Sequence, residues 1–145
     1  MKELLYLKDD QIKDFIQLLY YAYRETFSDP KNILAKKFLG LAHLRALNLI
    51  ERNPGISLTE LIFKLKITKQ SINRVLRDLI NAKMIKQVKD DEDTRKKKLY
   101  LDKEGSLFFE KIYAVQKKRI FNALKSSEPD SVVKFKKVLG KIING

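Results

Sequence analysis

Apolar side chains recur at helical spacing from about residue 9 to residue 27, with Ile12, Phe15, Ile16, Leu19, Ala22, Tyr23 and Phe27 on one face. Ser28-Asp29-Pro30 ends this helix, since proline cannot extend the hydrogen-bond ladder. Residues 38–50 are apolar nearly all round, which predicts a second, buried helix, and Asn53-Pro54-Gly55 reads as a turn. Ser57 and Glu60 have capping-box spacing ahead of Leu58, Leu61, Ile62 and Leu65, the stripe of a short helix. Lys66-Ile67 breaks it, and Thr68 can cap another helix reaching about Ala82. In that helix Ile72, Val75, Leu76, Leu79 and Ile80 share one face, leaving Lys69, Gln70, Ser71, Asn73, Arg74 and Arg77 outside.

The period then changes. Met84–Lys89 and Lys98–Leu101 read as short strands flanking the charged tip Asp90–Lys97. Asp102 can cap a long helix to about Leu124, and Ser127 with Asp130 marks a last helix to about Ile143. No internal repeat, low-complexity segment or flexible linker interrupts the series. The fold expected is mainly α with a small β-hairpin (α+β): a helix, a turn, an amphipathic helix and a hairpin wing, the order of a winged helix-turn-helix.

Charge sharpens this picture. The 145 residues carry a net charge of +13, and its distribution is uneven. Residues 1–63 hold 9 basic and 8 acidic side chains, residues 64–98 hold 12 and 5, and residues 99–145 hold 10 and 5. The excess is densest over the amphipathic helix and the hairpin, where it would attract a polyanion. The capped helix from 68 to 82 can enter a major groove N-terminal end first. Its Gln70, Ser71 and Asn73 suit base edges, Arg74 and Arg77 can read guanine or hold phosphate, and Thr68 and Lys69 at its start join the DNA-binding set. The wing, about residues 84–101, carries Arg95, Lys96, Lys97 and Lys98, which can reach a minor groove or its phosphates. Each feature alone could be a solvated helix face or a charge-balanced surface turn; their order on the most basic stretch favours double-stranded DNA as the partner.

Other chemistries are excluded. There are no cysteines and one histidine, His43, so disulfides, thiolate metal sites and histidine-rich metal sites are not expected, and no cofactor is implied. No nucleophile–base pair or phosphate-binding glycine loop suggests an enzyme. The longest apolar runs, Leu4–Leu7 and Leu18–Ala22, are too short for a bilayer. Glu3, Asp9 and Asp10 stand where a signal peptide would need basic residues, so a cytoplasmic location is expected.

Ile67–Leu76, with Leu79 and the pair Met84-Ile85 downstream, resembles the recognition-helix region of MarR-family regulators. Asp93-Thr94-Arg95, followed by Leu99, Leu101 and Gly105, is similar to that family's wing signature. Ala22-Tyr23-Arg24, Gly40-Leu41-Ala42-His43, Arg52–Gly55 and Ile67–Ser71 look most like its PetP-type subgroup. The resemblance implies one MarR-type domain over residues 1–145, with a winged lobe at 38–101. It also implies a homodimer joined by helices of residues 1–34 and 102–145, reading a pseudo-palindromic operator. Arg95 would then enter the minor groove, and Asp93 would hold the wing through an ion pair. Lys83 stands where the family commonly has glycine, Gln87 where many members have arginine, and Asp102 where threonine is usual; wing geometry is where these departures would show. A small aromatic or anionic effector is a candidate ligand, with Tyr20, Tyr23, His43 and Arg45 as candidate lining and Tyr21 beside them. Against these stand ordinary core packing of the aromatics and a structural role for the histidine. The competing functional expectation is an architectural protein binding nucleic acid without sequence choice.

Overall fold

The computed structural model describes residues 4–145. A short 3-10 turn, Leu5–Leu7, precedes α1 (Asp9–Ser28), α2 (Lys31–Ala35), α3 (Leu41–Arg52), β1 (Ile56–Ser57), α4 (Leu58–Leu65) and α5 (Lys69–Asn81). Then follow β2 (Ile85–Lys89), β3 (Lys97–Leu101), α6 (Lys103–Lys125) and α7 (Pro129–Asn144). Two compact units result, residues 1–26 with 114–145 and residues 27–113. Among the described residues no helix is long and apolar enough to cross a membrane.

The unit of residues 27–113 holds the core. α3 buries Leu44, Ala46, Leu47 and Ile50, and α5 buries Ile72, Val75, Leu76 and Leu79. Leu34 of α2, Leu39, Ile56 of β1, Leu61 of α4, Met84, Ile85, Leu99, Phe108 and Ile112 complete the same cluster. Each large aliphatic side chain sealed there contributes about 1.5–3 kcal/mol. The expectation that α3 is buried all round is corrected: Leu41, Ala42, Arg45, Glu51 and Arg52 are exposed, so only one side is buried. Its N-terminal apolar residues Phe38 and Leu39 lie outside the helix, in the connection after α2, a helix the hydrophobic pattern did not reveal.

The sheet has three antiparallel strands in the order β1-β3-β2. Ile56 pairs with Leu99 on one side of β3 and Gln87 with Leu99 on the other. β1 was not anticipated because two residues are too few to show alternation. It forms where Gly55, at φ 85°, turns the chain after α3, and where Gly55 N–H donates to the Leu99 carbonyl at 2.9 Å. A β-carbon at Gly55 would also approach the Tyr100 hydroxyl to 3.1 Å.

Helix ends are set locally. Ser57 Oγ accepts from Glu60 N–H at 3.2 Å, one half of the expected capping box, with no return bond from the Glu60 side chain. Thr68 Oγ1 accepts from Ser71 N–H at 3.1 Å and caps α5. Asp102 directly precedes α6, and its Oδ1 accepts from the adjacent Lys103 N–H at 2.8 Å rather than from the second or third helical amide that a cap would satisfy. Ser127, expected to cap α7, instead donates from Oγ to the Ala123 carbonyl and closes α6; Glu128 precedes Pro129, the first residue of α7.

Among the described residues three other than glycine take left-handed backbone: Phe38, Lys66 and Lys83, at φ 59°, 52° and 59°. Lys66 and Lys83 follow helix ends and Phe38 lies in the turn after α2, and each is followed by an apolar residue, Ile67, Met84 or Leu39, that packs on the core. Lys83 thus adopts the conformation glycine would take, with its N–H on the Ile80 carbonyl and Met84 N–H on the Leu79 carbonyl. The wing is undisturbed: all five residues of β2 pair with β3, Gln87 included.

In the unit of residues 1–26 and 114–145, Gln116 Nε2 donates to the Thr26 carbonyl at 3.0 Å. Arg24 pairs with Glu25 at 2.7 Å and lies over the Tyr21 ring at 4.7 Å. Neither α1 nor α7 has a buried residue.

Two substitutions should move stability in opposite directions. Lys83→Gly removes the left-handed strain and should stabilise the fold by about 1 kcal/mol. A β-carbon at Gly105 would lie 1.8 Å from the Met84 carbonyl oxygen, the acceptor of Asp102 N–H, so α6 could not keep its place. Gly105→Ala should therefore destabilise by roughly 1–3 kcal/mol. Urea unfolding of both variants checks the pair; equal midpoints would contradict the stated backbone roles.

Candidate nucleic-acid interface

The interface is built on the outer side of α5. Burial of Ile72, Val75, Leu76 and Leu79 turns Lys69, Gln70, Asn73, Arg74 and Arg77 outward, and all five are exposed. Thr68 and Ser71 are used differently from the other predicted residues. Thr68 Oγ1 also donates to Ser71 Oγ at 3.0 Å, so these hydroxyls first secure the helix start and only secondarily face outward. Asn73 and Arg77 line a cleft of about 200 Å³ with Asn81 and Gln87, which joins the face of α5 to β2.

The wing supplies the second element. Its tip is folded by its own acidic residues. Asp90 Oδ1 accepts from Glu92 N–H, and Asp93 Oδ1 accepts from Arg95 N–H, each at 3.0 Å. Asp90 N–H donates to the Lys96 carbonyl and Lys96 N–H to the Asp93 carbonyl, closing the loop. The ion pair expected of Asp93 is replaced by this bond to the backbone of Arg95. Arg95 and Lys96 at the tip, and Lys97 and Lys98 on β3, are exposed. The Asp90 carboxyl is held below its usual range, chiefly by the Glu92 N–H, with the Lys98 charge, the Asp93 backbone and the Lys96 charge adding to it; partial desolvation opposes them.

Register reveals one basic residue that the motif reading left out. Lys89 lies directly opposite Lys97, and Val88 opposite Lys98. Like charges facing each other across a ladder are unfavourable in water, so the pair is tolerable for folding but better suited to a bound polyanion. A strand pattern alone could not pair residues 89 and 97; the length of the turn had to be known.

The four residues proposed for an effector pocket fall in both units: Tyr20 and Tyr23 on α1 in one, His43 and Arg45 on α3 in the other. Tyr20 stands 5.9 Å from Tyr21, ring centre to ring centre. Both ring nitrogens of His43 are engaged within the fold. Nδ1 accepts from Gly40 N–H at 3.0 Å, and Nε2 lies 2.9 Å from Asp78 Oδ2 on α5.

Known proteins share this fold. The MarR family model matches residues 39–96, from the start of the α3 region to the wing tip. The HTH-type transcriptional regulator PetP of Rhodobacter capsulatus is 37% identical over 136 residues, covering 94% of this chain and 82% of that protein. Streptococcus pneumoniae FabT, solved in complex with DNA, superposes with a TM-score of 0.74 at 15% identity, over 92% of this chain and 95% of that one. A mutant MarR from E. coli complexed with operator DNA gives a TM-score of 0.67 at 18% identity, over 97% of this chain and 99% of that one. The last two show the shared fold, and the likeness to the PetP regulator shows shared descent along nearly the whole chain: this protein belongs to the MarR family.

Proposed function

We propose that this chain is a sequence-specific, double-stranded DNA-binding transcriptional regulator, acting in the cytoplasm as a homodimer and having no catalytic activity. The observation that carries this reading is the rigid polar face of α5 beside a wing whose like-charged Lys89 and Lys97 stand opposite each other. In this reading α5 lies in the major groove. Gln70 and Asn73 offer hydrogen bonds to base edges, Arg74 and Arg77 read guanine or hold phosphate, and Lys69 binds phosphate near the helix start. Arg95 reaches the minor groove, and Lys96, Lys97, Lys98 and Lys89 bind the flanking phosphates. FabT and E. coli MarR, of the same fold, were solved with DNA, which supports the choice of partner.

Dimerisation is assigned to helices within residues 1–34 and 102–145, leaving residues 38–101 as the reading lobe. Its support is chemical. Ile12, Phe15 and Ile16 of α1 and Val138 of α7 border a largely apolar groove of about 570 Å³. Val133, Phe135, Ile142 and Ile143 add further exposed apolar surface to α7. A monomer in water would rarely keep so much contiguous apolar surface. Two copies would place two reading lobes on half-sites roughly one helical turn apart, about 34–36 Å.

Gel-shift titration against the DNA upstream of the protein's own gene, with a scrambled duplex of equal length at about 150 mM salt, tests the reading. Strong preference for the upstream duplex is expected; equal binding to both would favour an architectural protein without sequence choice. Arg74→Ala should cost about 1–3 kcal/mol on the preferred duplex and relax its selection. Lys97→Ala should weaken every duplex alike and flatten the salt dependence by about one unit, as a phosphate contact does. Equal losses on all duplexes for both variants would contradict that division of roles. Phe15→Glu or Val138→Glu should convert the dimer to monomer in sedimentation and abolish tight operator binding at the same concentration; dimers that persist would remove these helices from the interface.

A further inference from the structure

We propose that His43 is a positioning residue for DNA reading, holding α5 in its reading orientation through Asp78; this rests on the DNA-binding function argued above. The ring chemistry defines the contact. Nδ1 accepts the Gly40 N–H at 3.0 Å, so Nδ1 carries no proton. The proton therefore resides on Nε2, which donates to Asp78 Oδ2 at 2.9 Å. One imidazole thus caps the start of α3 and reaches across to the opposite helix, 35 residues along the chain.

The apolar face of α5 does not by itself do the same work. Burial of Ile72, Val75, Leu76 and Leu79 fixes which side of the helix faces inward, but hydrophobic contact is non-directional and tolerates small rotations. A hydrogen bond weakens steeply as its angle opens. The bond from His43 to Asp78 therefore sets the rotation of α5 about its axis, and with it the direction of Arg74 and Arg77. Asp78 immediately follows Arg77 and lies one turn beyond Arg74. Its carboxylate is nevertheless bonded to His43, and among the described residues it forms no ion pair with Arg74. An acidic residue on a face meant for phosphate is otherwise a liability, since it repels the ligand. A positioning role gives it a reason to be there.

The test turns on the sign of the effect. If Asp78 acts only through its charge, Asp78→Ala and Asp78→Asn should both tighten binding to the preferred upstream duplex. If it positions α5, Asp78→Ala should weaken binding roughly three- to tenfold, the range of one directional hydrogen bond. Asp78→Asn, which keeps an acceptor for Nε2–H, should remain within about twofold of the parent. His43→Ala should lose as much as Asp78→Ala or more, and the double variant should lose no more than His43→Ala. The chain has one histidine, so its imidazole nitrogen resonances are unambiguous and should show an unprotonated Nδ1 in the free protein. Tighter or unchanged binding of Asp78→Ala, additive losses in the double variant, or a protonated Nδ1 would each overturn the proposal. A parent protein that fails to prefer any duplex would instead overturn the DNA-reading function. The amide shifts of residues 69–74 in Asp78→Ala, recorded without DNA, would then decide the role of His43: displaced shifts uphold it and unchanged shifts refute it.

Discussion

The winged unit depends on the burial of one side of α5. Ile72 and Leu79 are fully sealed, Val75 and Leu76 nearly so, and they meet a wall made by Leu44, Leu47 and Ile50 of α3. Together these four side chains of α5 contribute on the order of 5–10 kcal/mol, comparable to the whole net stability of a small domain. That burial decides which face of α5 turns outward, and the bond from His43 to Asp78 adds the direction that apolar contact lacks. Lys69, Gln70, Asn73, Arg74 and Arg77 can thus remain solvated and still be held in a fixed array, which is what reading a groove demands. The cap at Thr68 extends that order to the helix start, where unpaired amides would otherwise fray.

What lies around α5 follows from how the chain turns at helix ends. Lys66, in the left-handed region, reverses the chain after α4 and lets Ile67 pack against the core before Thr68 begins α5. Lys83 does the same before the wing, seating Met84 so that its carbonyl meets the amide of Asp102. Gly105 then brings α6 against that carbonyl at a distance no side chain would permit. The hairpin is consequently clamped at its base by α6, while its tip projects with Arg95 and Lys96. Lysine at position 83 accepts a backbone strain of about 1 kcal/mol without altering this path. The departure from the family's glycine therefore bears on stability, and the register of the wing is kept.

Much of this was legible in the sequence, for identifiable reasons. α1, α5 and the two wing strands have unmistakable periods, and Thr68 caps where its side chain predicts. β1 and α2 escaped because two and five residues are too short for a period to register. The end of α6 near Leu124 was legible, but the start of α7 was misjudged at Ser127, because a serine near a helix end can bond backward to a carbonyl as readily as forward to an amide. The candidate interface shows the same divide. The outward residues of α5 follow from spacing alone. Lys89 required the register with Lys97, and the partner of His43 lies 35 residues away, beyond any local pattern.

The electrostatics of the wing complete the argument. By count alone Asp90, Asp91, Glu92 and Asp93 balance the neighbouring Arg95–Lys98 run, which would leave a neutral tip. Instead, Asp90 and Asp93 spend one oxygen each on backbone amides, so their carboxylates fold the turn and are drawn toward its interior. The lowered pKa of Asp90 has the same origin, because the Glu92 N–H favours the charged form. The four cations receive no such constraint and stay exposed on the outside of the loop. Separating the two signs in this way gives the tip an order that does not consume its positive charge. With Lys89 and Lys97 facing each other along the strands, the wing keeps a repulsion that a phosphate backbone would relieve, so binding is favoured where folding alone gains nothing.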